Sequence, residues 1–355
     1  MNAQRVEGPP ALVVGGGGLL GRAVLARAAR TGWDVDRCAV PWHDPAEVAP
    51  VVADAVDAVR ARAGSGPWYL VWCAGAGVTS SQGDALGREV ATIESVVDAL
   101  LDRAGPGGLT QARVFLASSA GGVYAGSSGP PFTERTVPVP LAAYGRAKLA
   151  TEQVVARLAT QGGARVLTGR LSNLYGPGQN LAKPQGLVSQ LCRSQLTGRP
   201  VGVYVSLDTL RDYLFVDDAA ALVVDGLDRL PEVVAPGQVL TKILASQRAD
   251  SIASLVGEVR RLSRRHARIL VAPSPASSGQ VRDLRLRSVV WPELDRRPVT
   301  PLVVGVHATM RDLAAGLGAG AVARAGGAQA PPPVPQPRAV PTAPVVVPAA
   351  VPATR

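Results

Sequence analysis

Cysteine is scarce in this 355-residue chain: Cys38, Cys73 and Cys192 are odd in number and far apart. That excludes a disulfide framework and a zinc site of closely spaced thiols, and it suits a reducing compartment. Histidine is as sparse, and His43, His266 and His307 show no ligand spacing, so no metal is expected. Aromatic residues make up 4% of the chain. The densest basic run, Arg260-Arg261-Leu262-Ser263-Arg264-Arg265-His266-Ala267-Arg268, has no rings interleaved for base stacking and reads as the polar face of a helix. Nucleic acid is therefore not an expected partner, despite a net charge of +10. No uninterrupted apolar run is long enough to span a bilayer, and the residues from Met1 to Glu7 lack the apolar centre of a secretory signal. The expected setting is cytoplasmic and away from membranes. A basic surface in that setting favours a phosphorylated small substrate by steering.

What the chain does have is apolar residues, 47% of the total, enough to bury a sizeable core. Their pattern predicts strands at residues 11–14, around Val35–Val40, at Trp68–Cys73, Arg113–Ala117 and Arg165–Leu171. Helical periodicity falls between them, at Arg22–Arg30, 46–63, 86–103 and from Tyr144 to about Ala159. Strands alternating with helices imply an α/β fold, a doubly wound, mainly parallel sheet of the Rossmann type covered on both faces. Residues 1–10 read as an N-terminal extension and 11–175 as the dinucleotide-binding domain. Residues 176–315 read as a smaller C-terminal domain, with 213–229 and 239–245 returning to the first. The Pro- and Ala-rich residues 326–355 read as a disordered tail.

Gly15, Gly18 and Gly21 form G-x-x-G-x-x-G directly after the first strand, and Leu19 and Leu20 open the helix that follows. Glycines there allow a tight turn, a close approach of a pyrophosphate to the helix N-terminus, and close helix–sheet packing. A dinucleotide site usually has an acid at the end of the second strand for the adenine ribose; here the equivalent position is Ala39. Loss of the acid removes repulsion against a 2′-phosphate, which Arg37 or His43 could approach, so NAD and NADP both stay open. Ala74, Gly75 and Ala76 place small residues where a cofactor crosses the sheet edge, and Thr79 follows in a polar run facing either substrate or solvent. Trp33, Trp42, Trp68 and Trp72 flank strands and read as packing residues. Among only three lysines, Lys148 lies one helical turn after Tyr144, so the two side chains share a face. An ammonium about 4 Å from a phenolate is worth roughly 4 kcal/mol at an effective dielectric near 20, which makes the pair a candidate for proton transfer.

Three further segments keep this company: Ser118-Ser119-Ala120-Gly121-Gly122-Val123-Tyr124, Arg170-Leu171-Ser172-Asn173-Leu174-Tyr175-Gly176-Pro177-Gly178, and Arg211-Asp212-Tyr213 running into Val216-Asp217-Asp218. Together the five motifs, from about residue 11 to 315, resemble the extended short-chain dehydrogenase/reductase superfamily, in particular its NAD-dependent epimerase/dehydratase family of nucleotide-sugar enzymes. The resemblance implies Tyr144 as acid/base and Lys148 as the residue that binds the nicotinamide ribose. It implies Asn173 and Arg211 as contacts of the substrate diphosphate, with one of Arg285 and Arg287 as a further phosphate ligand. The hydroxyl that assists the tyrosine in many relatives falls at Ala120 here, leaving Ser119, Ser118, Thr79 or water to take its place. Glu89 stands where relatives often carry an asparagine that supports the active-site helix; it either replaces that hydrogen bond or is solvated. The dehydratase acid/base pair after the serine is absent from Ala120-Gly121-Gly122. The implied activity is thus an NAD(P)-dependent epimerase or 4-ketoreductase acting on a nucleotide-diphosphate sugar, in a homodimer built from the helices at 86–103 and 144–159. The rival reading, prompted by Ala39 and Ala120, is a dinucleotide-binding sensor or scaffold without turnover.

Overall fold

In the computed structural model, residues 8–75, 83–181, 186–263, 269–271 and 281–326 are described. Ala76 and Thr79, the basic run at 264–268 and nearly all of the expected tail lie outside them. Residues 1–315 form one compact unit and 316–355 another. The chain opens with β1 (Pro10–Val14), α1 (Leu19–Arg30), β2 (Asp34–Arg37), α2 (Pro45–Ala63), β3 (Trp68–Trp72), α3 (Gly83–Ala104) and β4 (Ala112–Ser119). A four-residue helix α4 (Ala120–Val123), α5 (Ala143–Thr160), β5 (Arg165–Leu171) and β6 (Asn173–Tyr175) follow. Then come α6 (Leu187–Thr197), β7 (Val201–Val203), β8 (Leu210–Phe215), α7 (Val216–Arg229), β9 (Val239–Leu244), β10 (Ala249–Ser251) and α8 (Ile252–Arg261). β11 (Ile269–Val271), β12 (Asp283–Leu284), α9 (Pro292–Asp295) and α10 (Leu302–Gly326) complete the described elements.

Six strands form one sheet in the order β2-β1-β3-β4-β5-β9, and every pairing is parallel. Parallel strands buried on both faces need apolar residues at successive positions. β1 shows this: Ala11 and Val13 enter the core that contains Val24 of α1 and Val223 of α7. Leu12 and Val14 enter the core that contains Val52 of α2, Ile93 of α3 and Val155 of α5. The chain direction across the sheet reverses between β1 and β3, and a doubly wound sheet opens its ligand crevice at that point, beyond the strand carboxyl ends. β2 is shorter than its sequence pattern predicts. It ends at Arg37, with Pro41 close behind, so Cys38, Ala39 and Val40 lie beyond its hydrogen-bonded end.

The second layer is built around β8, which pairs with β10, β12 and β6. A third core, including Leu191 of α6, Phe215 of β8, Leu255 of α8 and Val306 of α10, holds it together. β9 then returns to the edge of the main sheet. There the fully buried ammonium of Lys242 donates to Ser288 Oγ, the Val290 carbonyl and Asp295 Oδ2, each at 2.7 Å. Glu134 accepts from the Ile243 and Val289 amides, both at 2.8 Å, and from Ser288 Oγ at 2.6 Å. These bonds fasten the segment before α9 to the sheet.

Candidate functional site

Gly15 adopts φ +85°, a conformation open to glycine and strained for other residues, and a Cβ there would lie 2.5 Å from the Ala74 amide nitrogen. A Cβ on Gly21 would lie 2.2 Å from the Gly15 carbonyl oxygen, so α1 can start this close to β1 only with glycine at that position. Gly18 is the residue before the helix and has no side chain to cap it, which leaves the first amides of α1 to an incoming anion. Arg22 Nη1 donates to the Gly17 carbonyl at 2.9 Å, and Nη2 bonds the Gly178 carbonyl, tying the glycine turn to the turn after β6.

A cleft of about 400 Å³ opens beside this turn, lined by Gly15, Gly18, Trp42, Trp72, Gly75 and Arg88 among others. Trp42 is a correction to the packing expectation. It is 50% exposed and meets the buried Trp72 edge to face, with ring centroids 6.4 Å apart, whereas Trp33 and Trp68 are buried as expected. The Trp72 indole N–H has no hydrogen-bond partner among the described residues. Asp34 and Asp36 of β2 are both paired with Arg62, at 2.9 and 2.6 Å. Cys73 also lines the cleft; burial pushes its thiol up to about 12, so it stays protonated and is no nucleophile.

Lys148 of α5 reaches Glu89 in the wall of the cleft, and Tyr144 lies beside Lys148. The Lys148 ammonium sits 5.6 Å from the centre of the Tyr144 ring. Tyr144 is half-buried, and its hydroxyl makes no hydrogen bond among the described residues. Lys148 is 6% exposed and its Nζ lies 3.1 Å from Glu89 Oε1 of α3, a carboxylate that lines the cleft. Of the two expectations for Glu89, the structure shows the bonded one. A Cβ on Gly75 would approach both Glu89 Oε1 and Lys148 Nζ to 3.3 Å, which places the pair under the loop after β3.

The two serines diverge, as neighbours on a strand must. Ser118 donates to Glu152 Oε1 on α5, one turn beyond Lys148. Arg170 of β5 grips the same carboxylate with two bonds, of 3.1 and 2.7 Å, and donates to the Tyr124 hydroxyl at 2.7 Å. Ser119 instead caps α4, its Oγ accepting from the Gly122 amide at 3.2 Å, which leaves its own O–H unengaged among the described residues. Ala120, at the expected hydroxyl position, is fully buried. Glu152 is a residue that sequence reasoning missed; its signal was the repeat of the four-residue spacing from Tyr144 to Lys148.

Asn173, Arg211 and Arg285 gather on the second layer through the pairing of β6 and β12 with β8. Asn173 Nδ2 donates to the Asp212 carbonyl at 2.8 Å. Arg211 is 9% exposed, and among the described residues its guanidinium makes one hydrogen bond, to the Leu210 carbonyl at 2.8 Å. Desolvation lowers its pKa from the ordinary value, as expected of a buried guanidinium short of partners. Arg285 is exposed and paired with Asp283 at 2.8 Å, and it lines a separate cavity of about 300 Å³ with Arg287 and Gln247. No cluster of His, Cys, Asp and Glu suited to a metal occurs among the described residues, and none of their helices is long and apolar enough to cross a membrane.

Known proteins resemble this chain in sequence or in fold. Over 161 residues, 43% of this chain and 39% of the relative, the sequence is 32% identical to dTDP-L-rhamnose 4-epimerase of Burkholderia thailandensis. Over 106 residues, 30% of this chain and 33% of the relative, it is 31% identical to dTDP-4-dehydro-6-deoxyglucose reductase of Escherichia coli. Each match thus spans well under half of the curated relative. The fold matches UDP-glucose 4-epimerase of Thermotoga maritima with a TM-score of 0.72 at 20% identity, over 87% of this chain and 99% of that one. The Thermus thermophilus UDP-glucose 4-epimerase matches with a TM-score of 0.70 at 18% identity, over 86% and 99%. Residues 11–239 match the NAD dependent epimerase/dehydratase family as a whole, and the chain belongs to that family.

Proposed function

We propose that the protein is an NAD(P)-dependent epimerase or 4-ketoreductase of a nucleotide-diphosphate sugar, with Tyr144 as its acid/base. The observation that carries this reading is a Tyr144 hydroxyl with no hydrogen-bond partner among the described residues, beside the buried Lys148–Glu89 pair, with Glu89 in the wall of a cleft whose Gly15 leaves no space for a side chain. A nicotinamide cofactor in that cleft supplies the hydride acceptor and donor. The first amides of α1, with Gly15 and Gly18, would hold its pyrophosphate, and Trp42 offers a ring for the adenine. Ala74 and Gly75 keep the loop after β3 close to the Gly15 turn.

Tyr144 takes the proton of a sugar hydroxyl as hydride leaves the same carbon, and returns it when a ketone is reduced. Ser119 donates its free O–H to the reacting oxygen, while Ser118 acts from behind by orienting Glu152. Asn173 and the partner-poor guanidinium of Arg211 serve the substrate diphosphate, for which a planar fork of donors is well matched. Arg285 joins them by exchanging Asp283 for phosphate. Helix α4 brings no carboxylate next to the serines, which argues against dehydration. The curated relatives include both an epimerase and a reductase, and both activities use this proton transfer.

Purified protein incubated with a panel of dTDP- and UDP-sugars, with NAD and with NADPH, should convert at least one of them. Tyr144→Phe should lower that conversion by about a thousandfold, within the usual range for loss of a general acid/base. Cofactor affinity, read by calorimetry, should stay within about twofold of wild type. Full activity in Tyr144→Phe removes the assignment. Cofactor binding with no turnover of any sugar favours the sensor reading.

A further inference from the structure

The charge balance beside Tyr144 differs from that of a lone lysine. Lys148 Nζ and Glu89 Oε1 are 3.1 Å apart, and both side chains are largely buried, at 8% and 17% exposure. Burial keeps this pairing strong, because little solvent screens it. Of the other charges on the packed elements, one carboxylate is already matched and two guanidiniums are exposed to solvent. Glu152, the next carboxylate along α5, is held by Arg170, and Arg146 projects to solvent with a bond to the Leu141 carbonyl. Arg88 of α3 is exposed at the cleft. Ionisation of Tyr144 therefore adds a negative charge beside a buried pair that is already balanced, while the exposed arginines are screened by solvent.

We propose that Glu89 is a positioning residue that cancels the Lys148 charge, so that Tyr144 becomes a strong base only when a cationic nicotinamide enters the cleft. This rests on the reading of Tyr144 as the acid/base. The pairing couples proton abstraction to the oxidised cofactor: without that cation the phenol keeps its proton, and with it the phenolate has a counter-charge. A neutral amide at position 89 would leave the ammonium free to stabilise the phenolate at all times. An amide in place of the carboxylate keeps an oxygen acceptor for Lys148 and removes the charge, which separates this role from a structural tie between α3 and α5.

The test follows phenolate absorbance against pH, taking the signal that Tyr144→Phe removes. The background is favourable, because burial pushes Tyr69, Tyr124, Tyr175 and Tyr213 above the ordinary tyrosine range. In cofactor-free Glu89→Gln, the Tyr144 signal should appear at lower pH than in the parent protein, by on the order of one unit. An unchanged or higher midpoint in folded Glu89→Gln overturns the proposal. Where circular dichroism shows that this variant does not fold, the parent protein decides: NAD⁺ should lower the midpoint, and ADP-ribose, which lacks the nicotinamide cation, should not. Equal effects of the two ligands overturn the coupling. Absence of any calorimetric binding of either ligand defeats the cofactor reading itself, a different failure from an unmoved midpoint in the cofactor-free variant.

Discussion

Asp212 shows how burial sets the acid behaviour of single residues. It is 1% exposed and accepts bonds from the Ser246 amide and hydroxyl, both at 2.9 Å, and from the Arg248 amide at 3.2 Å. Desolvation outweighs those bonds and raises its carboxyl above the ordinary range. Burial acts in the same direction on Asp228, Asp250 and Asp295. A carboxyl with a raised folded pKa takes its proton in the native state before the unfolded chain does. Such groups destabilise the fold above their native pKa, and that cost disappears as pH falls toward the unfolded value of about 4. Asp283, lowered by the Arg285 bonds that outweigh its desolvation, and Glu232, lowered by its bonds to Arg229, work the other way, but both are open to solvent that screens them. The melting temperature measured by calorimetry should therefore hold or rise slightly from about pH 7 to about pH 5. A steep fall across that interval would show that carboxylates of the Asp283 kind dominate. The candidate site was legible to different degrees at this scale. Tyr144 and Lys148 stand out because one helical turn joins them, and Gly15 to Gly21 because a strand and a helix flank them. The partner of Glu89 lies on another helix, 59 residues away, and spacing along the chain carries no signal for it.

Among the elements, α5 depends on a glycine crossing. A Cβ on Gly145 would lie 2.1 Å from the Gly122 carbonyl oxygen, and one on Gly122 would lie 3.0 Å from the Tyr144 ring. Helix α5 thus rests directly on the backbone of α4, and this contact sets the depth of Tyr144 relative to Ser119. Gly145→Ala must push the helices apart, at a cost of roughly 1–3 kcal/mol for an overpacked contact. The expected outcome is a folded protein with a lowered melting temperature and a turnover loss larger than its loss of cofactor affinity, read by calorimetry and by the sugar panel. Unchanged turnover would show that the crossing does not position the tyrosine. The helices themselves were legible from periodicity, since α2, α3 and α5 each bury a continuous apolar face. β2 was not: apolar Cys38, Ala39 and Val40 extend its pattern, but a strand at the sheet edge has one neighbour, and pairing with β1 ends at Arg37. Its early end is what brings Trp42 to the cleft rather than into the core.

At the scale of the whole molecule, strand order was beyond the sequence. Alternating strands and helices imply a parallel sheet, but only packing shows that β9 closes it at the far edge after the chain has built the layer around β8. One surface of this assembly is left shallow and apolar. Leu86, Gly87, Val90 and Ala91 of α3 and Ala147 and Ala150 of α5 line a groove of about 410 Å³, with Glu94 and Arg146 at its sides. Small residues let helices approach closely, and a groove that carries one acid and one base is self-complementary about a two-fold axis, where each copy offers Glu94 to Arg146 of the other. The expected assembly is a homodimer through α3 and α5, which would clamp the two helices that hold Glu89 and Lys148. Ala91 is exposed, so Ala91→Arg should fold normally, place two like charges near the axis, and sediment as a monomer at concentrations where the parent protein is a dimer. Its cofactor affinity should fall with dimerisation if the clamp matters. A parent protein that sediments as a monomer, or a variant that dimerises as well as the parent, assigns this groove no part in assembly.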